Sequence, residues 1–291
     1  RSFIQFHLLI GNDVKIENQN KITSLKRLNH NSNFTFYNVG NIFNGWKHMR
    51  KGITVATFYR SIVGELIKNV DKIIYLDGDT LTYGDLSEMY QLNMQNLYFR
   101  GIKEICPFGY EDELNESRYI CAGVMLMNLK LIREDHVFDT FKNYYFKFYN
   151  KQIYYGDQHI INDLFREKID FLPPKFGTWF MTGEYIKKYK SLKPIIYTTN
   201  ELRKANNKPI IRHLWGTTTA IEKNPITNEE SQNASNTVLQ FIMNGMIERK
   251  KYDLHFDFGE EKNNELLNNK EEREKFNNKL RKKLSKEYNI P

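Results

Sequence analysis

Residues 72–79 read Lys72-Ile73-Ile74-Tyr75-Leu76-Asp77-Gly78-Asp79, a strand-like run that stops abruptly on two acids separated by a glycine. An apolar run without polar alternation is expected to be buried on both faces, as a central parallel strand is. At the end of such a strand the chain can turn, and both carboxylates can then reach one hard cation that keeps open positions for phosphate oxygens, as Mg2+ and Mn2+ do. The position matters, because ligands of open α/β sheets bind beyond the carboxyl ends of the strands. The same triplet also suits a plain tight turn, where Asp and Gly are favoured for backbone reasons. Both readings stand at this point.

Working outward, strand-like and helix-like segments alternate over the first two thirds of the chain, the pattern of an α/β domain. Strands are expected over residues 3–10, 34–39, 119–129 and 208–213, the last running into Trp215-Gly216. Helices are expected over 18–29, 138–149 and 158–165, and over 53–67 with Val55, Tyr59, Ile62 and Leu66 on one face. Residues 41–51 read as an irregular loop carrying Trp46, Lys47, His48 and Arg50. Past Pro225 the composition shifts to an amphipathic helix over 237–249 and then to charged and amide residues from Glu260 onward. One α/β domain over residues 1–225 and a helical, basic extension over 226–291 are therefore expected.

Two cysteines, Cys106 and Cys121, imply no disulfide framework and suit a reducing cytosol, with a lumenal compartment still open. The longest apolar runs, such as 119–129, fall short of the ~20 residues a bilayer span needs. The chain opens at Arg1 and passes straight into the strand at residue 3, so a missing upstream segment is expected. A net charge of +8 admits nucleic acid, an anionic membrane or phosphorylated small molecules as partners, without choosing among them. The 20 Phe and 18 Tyr predict a core filled largely by rings.

Two further segments carry candidate chemistry. His213 ends an apolar strand in Ile210-Ile211-Arg212-His213-Leu214-Trp215-Gly216, beside a glycine that lets backbone approach a phosphate. It is either a ligand to the two-acid site or an ordinary satisfied histidine. In Tyr155-Gly156-Asp157-Gln158-His159-Ile160-Ile161-Asn162, Asp157 either caps the following helix or holds sugar hydroxyls from its start, with Gln158 close to a reacting carbon.

Four motifs together resemble glycosyltransferase family 8, the glycogenin and lipopolysaccharide galactosyl- and glucosyltransferase family. They are Thr57-Phe58-Tyr59-Arg60 leading to Tyr75-Leu76-Asp77-Gly78-Asp79, then Cys121-Ala122-Gly123-Val124-Met125-Leu126-Met127-Asn128-Leu129, then Asp157-Gln158-His159, then His213-Leu214-Trp215-Gly216. They occur in the family's order over residues 3–220. The resemblance implies a GT-A-type, single Rossmann-like domain with a mixed, mostly parallel central sheet, lacking the family's first nucleotide-binding strand. It implies a retaining hexosyltransferase that uses a UDP-sugar donor, a glycan or glycolipid acceptor, and Mn2+ or Mg2+. Asp77, Asp79 and His213 would bind the metal; Arg60, Gly78, Ala122, Gly123, Asp157 and Gly216 would line the donor. Gln158, with Asp157, would form the catalytic pair, Gln158 under the anomeric carbon. Retaining glycosidases use a carboxylate nucleophile; an amide at that position points to front-face attack.

Three departures stand out: Cys121 where the family has Asn, His159 where it has Asp, and Thr219 where it has a diphosphate-binding Lys, with Lys223 nearby. Cys121 and Thr219 motivate a catalytically silent sugar- or nucleotide-binding protein as an alternative. The tail over 270–286 sets Phe276, Leu280 and Leu284 four apart among Lys279, Arg281, Lys282, Lys283 and Lys286. Such a helix can lie on an anionic membrane or pack on the domain. A cytoplasmic protein is expected, and under the first option one peripheral on the inner face of a membrane. A basic membrane- or RNA-binding module is the third functional reading, although no groove-reading motif favours nucleic acid.

Overall fold

The chain enters through strand β1 (Ile4–Ile10), helix α1 (Ile16–Thr23) and strand β2 (Ser32–Asn38). β2 runs parallel to β1, from Ile4 opposite Ser32 to Ile10 opposite Asn38. This computed structural model describes residues 3–27, 29–47, 54–104, 119–148, 156–178 and 196–213. All of them belong to the unit Arg1–Leu214; the unit Trp215–Pro291, which holds the expected basic extension and most of the late glycine motif, lies outside the described residues. No helix among the described residues is long and apolar enough to cross a membrane.

Residues Val55–Ile62 form a 3-10 segment and only Val63–Leu66 is α-helical (α2), in place of the single helix expected over 53–67. With three residues per turn instead of 3.6, the buried face changes. Phe58, Arg60, Ile62 and Val63 point inward, whereas Val55, Tyr59 and Leu66 are half-buried. Arg60 is thereby delivered to the interior.

The chain continues through β3 (Lys72–Leu76), β4 (Thr80–Thr82), α3 (Ser87–Gln91), β5 (Phe99–Lys103) and β6 (Ile120–Asn128). Helices α4 (Leu129–Glu134), α5 (Val137–Phe148) and α6 (Gly156–Leu164) follow, then β7 (Ile169–Phe171), α7 (Thr199–Asn207) and β8 (Ile211–His213). The central sheet is mixed and has the order β3-β6-β5-β7, with β6 antiparallel to both neighbours and β5 parallel to β7. β3 is thus not the parallel inner strand expected: its described pairing is antiparallel, and all five of its residues are half-buried. The strand buried on both faces is β6, where every residue from Ile120 to Met127 is shielded from solvent.

Two cores cover this strand. On one side Ile120, Ala122, Met125 and Met127 meet Phe58, Ile132, Phe141, Ile160 and Ile161; on the other Val124 and Leu126 meet Met89, Leu172, Phe176 and Ile211. The rings expected from composition lie mainly on the first side, where Trp46 stacks on Tyr145 at 3.9 Å between centroids and Phe58 meets both. Residues 122 and 125 share a side although three positions apart. The pairing explains it: Gly101 faces Met125, Ile102 faces Cys121, and the register with β5 skips Ala122, Gly123 and Val124. Such a bulge re-aims side chains and releases backbone groups from the ladder.

Candidate active site

The released backbone lies beside the acidic turn. Asp77 N–H donates to Gly123 O at 2.8 Å, and the turn closes when the Thr80 N–H and hydroxyl return to Asp77 O at 3.2 and 2.9 Å. β4 then pairs antiparallel with β8, placing Thr80 opposite His213. This ladder carries a residue more than a hundred positions away back to the two acids. His213 Nε2 stands 3.2 Å from Asp79 Oδ1 and 3.9 Å from Asp77 Oδ2. Asp77, Asp79 and His213 each offer a ligand atom, all within 4.8 Å of one another. Two carboxylate oxygens and an imidazole nitrogen are a donor set that suits a divalent cation such as Mn2+.

Gly78 has no steric reason to be glycine: its φ is not positive and an added Cβ would meet nothing within 4 Å. Gly123 differs. A Cβ there would lie 2.1 Å from His213 Cε1, so the imidazole occupies the space that a side chain at 123 would need. Cys121 contacts the same ring, with Sγ 3.6 Å from Nδ1. Burial works against a charged imidazole, but the bonds to Asp79 and Cys121 outweigh it and hold His213 up to about 10. The His213 bond in turn holds Asp79 below the usual carboxylate range.

Arg60 ties the remaining carboxylates together. Its Nη2 is 3.0 Å from Asp77 Oδ1 and its Nε 2.7 Å from Asp157 Oδ2, while Nη1 donates to the Ala122 carbonyl and Nε to that of Thr57. The Thr57 hydroxyl donates to Asp157 Oδ1, and the Tyr75 hydroxyl donates to Asp77 Oδ1 at 2.9 Å, with the guanidinium over the Tyr75 ring. Asp77 Oδ1 is therefore occupied, leaving Oδ2 toward His213. Burial pushes the Asp157 carboxyl up and Arg60 opposes that, while the acids around Arg60 keep it charged despite its own burial. Asp157 Oδ2 makes no well-aligned hydrogen bond in addition to this ion pair.

The third group surrounds Gln158. Ala122 N–H, unpaired from β5 by the register skip, donates to Gln158 Oε1 at 3.0 Å. Gln158 Nε2 donates to Glu104 Oε2 at 2.8 Å and to the Tyr119 hydroxyl at 3.3 Å. Burial pushes the Glu104 carboxyl up to about 7, against the pull of Gln158, His213 and Cys121.

Asp77, Asp79, His213, Arg60, Ala122, Gly123, Asp157 and Gln158 thus converge, and Gly78 lies in the turn itself. Gly216, Thr219 and Lys223 lie outside the described residues. His159 faces the interior from α6, near Asp163. Sequence reading missed Glu104 and the part played by Tyr75. Glu104 follows the last residue of β5 as Asp77 follows the last of β3, but Arg100 and Lys103 break the apolar run that would have marked β5 as a strand.

Residues 2–218 match the model of the family described as Glycosyl transferase family 8. Among curated relatives, a Haemophilus influenzae protein described as "Putative glycosyltransferase" is 32% identical over 146 residues, 47% of this chain and 43% of that protein. Glycosyltransferase GlyE of Streptococcus pneumoniae is 27% identical over 137 residues, 45% of this chain and 30% of its own length. The matched stretches therefore span less than half of these curated relatives. Among solved structures, galactosyltransferase LgtC, in complex with donor and acceptor sugar analogs, is similar with a TM-score of 0.59 at 21% identity, over 80% of this chain and 90% of that one. GlyE from Streptococcus pneumoniae gives 0.51 at 20% identity, over 74% of this chain and 50% of its own. These likenesses are of fold: the architecture is that of GT-A glycosyltransferases.

Proposed function

The chain belongs to glycosyl transferase family 8, and from that premise we propose that it transfers a hexose from a UDP-sugar to a glycan or glycolipid acceptor with retention of anomeric configuration. The observation that carries this reading is the convergence of Asp77, Asp79 and His213, whose ligand atoms come within 4.8 Å of one another. They would hold Mn2+ or Mg2+, and a divalent cation there supplies Lewis-acid stabilisation to a leaving diphosphate.

The protein's own groups supply the remainder. Arg60 fixes Asp77 and Asp157 in one arrangement, so its contribution to donor binding is to hold two carboxylates in place. Asp157 is 2% exposed and held by Arg60 and Thr57, so its proposed contribution is to anchor the start of the helix that carries Gln158. Gln158 replaces a carboxylate nucleophile beneath the anomeric carbon, and its carbonyl dipole is suited to positive charge growing on the sugar ring. In the transfer, the bond from the anomeric carbon to the diphosphate oxygen breaks and a bond from the acceptor hydroxyl oxygen forms on the same face. The acceptor's proton passes to the departing diphosphate, so no protein base is required.

The test is a UDP-sugar hydrolysis screen with Mn2+, comparing the protein with Asp79→Ala. At least one donor should be hydrolysed, and the variant should lose about a hundredfold or more of that rate. An Asp79→Ala protein turning over at the unaltered rate would remove the basis for this site.

A further inference from the structure

We infer that Glu104 is a positioning residue that sets which way the Gln158 side-chain amide is turned, so that the carbonyl oxygen and not the amino group is held at the centre of the site. The inference rests on the proposed role of Gln158 at the reacting carbon.

A primary amide is nearly symmetric in shape, and only its hydrogen-bond partners decide which end is which. Two partners of opposite kind flank Gln158. Ala122 N–H can only donate, and it meets Oε1 at 3.0 Å; the Glu104 carboxylate accepts, and it meets Nε2 at 2.8 Å. The Tyr119 hydroxyl, 3.3 Å from Nε2, takes a second amide hydrogen. Turning the amide over would place its amino group against an N–H and, with Glu104 ionised, its carbonyl against a carboxylate, losing both bonds and creating two repulsions.

Each partner is itself fixed. The Ala122 N–H is available because the register skip in β6 removes it from the ladder with β5. Glu104 is anchored by its own N–H, which donates to Tyr119 O at 3.0 Å, one rung beyond the last paired residue of β5. The backbone of Gln158 is tied to β6 through Asn162, whose Nδ2 donates to Gln158 O and to Ile120 O, both at 2.8 Å, while Oδ1 accepts from Ile120 N–H at 2.7 Å. The helix is thus stapled to the strand, and Glu104 determines the remaining freedom of the side chain. One lone pair of Oε1 stays available beyond the Ala122 bond.

Two substitutions separate positioning from chemistry. Glu104→Gln keeps an acceptor oxygen for Nε2, whereas Glu104→Leu keeps the bulk and removes every acceptor. The first readout is the Nε2 proton pair of Gln158 in NMR spectra of the full chain, identified by its loss in Gln158→Met. It should be well dispersed and slow to exchange in the unaltered protein and in Glu104→Gln, and move toward free-amide values in Glu104→Leu. The second readout is Mn2+-supported UDP-sugar hydrolysis. Glu104→Leu should lower kcat by about tenfold or more with donor KM little changed, and Glu104→Gln should stay within about threefold of the unaltered kcat. An unmoved amide signal in Glu104→Leu overturns the inference, as does a Glu104→Gln protein as slow as Glu104→Leu, which would make the carboxylate itself the reacting group. Absence of hydrolysis in the unaltered protein would count against the transferase reading alone, and the NMR result would still decide the role of Glu104.

Discussion

Arg60 is where the energetics of the site concentrate. It is 6% exposed and stands between Asp77 and Asp157, two carboxylates that would repel each other across a poorly solvated space without it. Removing one partner from a buried ionic cluster leaves the others uncompensated, so Arg60→Met should cost about 3–5 kcal/mol in urea denaturation. The pH dependence has a definite sign. Burial already pushes Asp157 up and Arg60 opposes it, so without Arg60 the folded-state pKa rises further. A carboxyl raised in the folded state favours folding below its unfolded pKa and loses that contribution as pH climbs. The deficit of Arg60→Met should therefore widen from about pH 4 toward neutrality. A loss below about 1 kcal/mol at every pH would mean that Arg60 is not the clasp. At this scale Asp77, Asp79 and His213 were legible, because each ends a strand-like run. Glu104 was not, because Arg100 and Lys103 interrupt the hydrophobic pattern of β5 and hide its end.

Elements were read well where periodicity is unambiguous and poorly where two structures share one pattern. β6, α5 and α6 fall within a residue or two of expectation. A short apolar run such as residues 72–76 fits a buried parallel strand and a half-buried antiparallel one equally, and strand direction depends on partners that a local pattern does not contain. The 3-10 geometry of Val55–Ile62 was hidden for a related reason: spacings of three and four suit a helix, and only packing selects the tighter winding. The most consequential unread feature is the skip at Ala122–Val124, which supplies Ala122 N–H to Gln158, Ala122 O to Arg60 and space at Gly123 for His213. That last point is testable. Gly123→Ala would press a methyl group into the imidazole, so His213 must move while the strand absorbs about 1–3 kcal/mol of overpacking. Mn2+ titration followed by electron paramagnetic resonance should show affinity reduced about tenfold or more. Unchanged affinity with the fold intact would mean that the ring does not need its present place.

At the scale of the molecule, four motifs scattered over more than 150 residues were readable as one site only through their order; the fold supplies the convergence. β3 brings the acids, the β4–β8 ladder brings the histidine, and β6, paired with β3, lies against both through Gly123 with its backbone opened on the β5 side. The net charge of +8 is in keeping with an anionic nucleotide ligand without identifying one. Isothermal titration of the full chain with UDP, with Mn2+ and again after chelation, tests the proposed sharing of one site by metal and donor most directly. Binding should appear with Mn2+, vanish with chelator, and fall about a hundredfold or more in Asp79→Ala. UDP binding of equal strength with and without the metal, unaffected by Asp79→Ala, would contradict it.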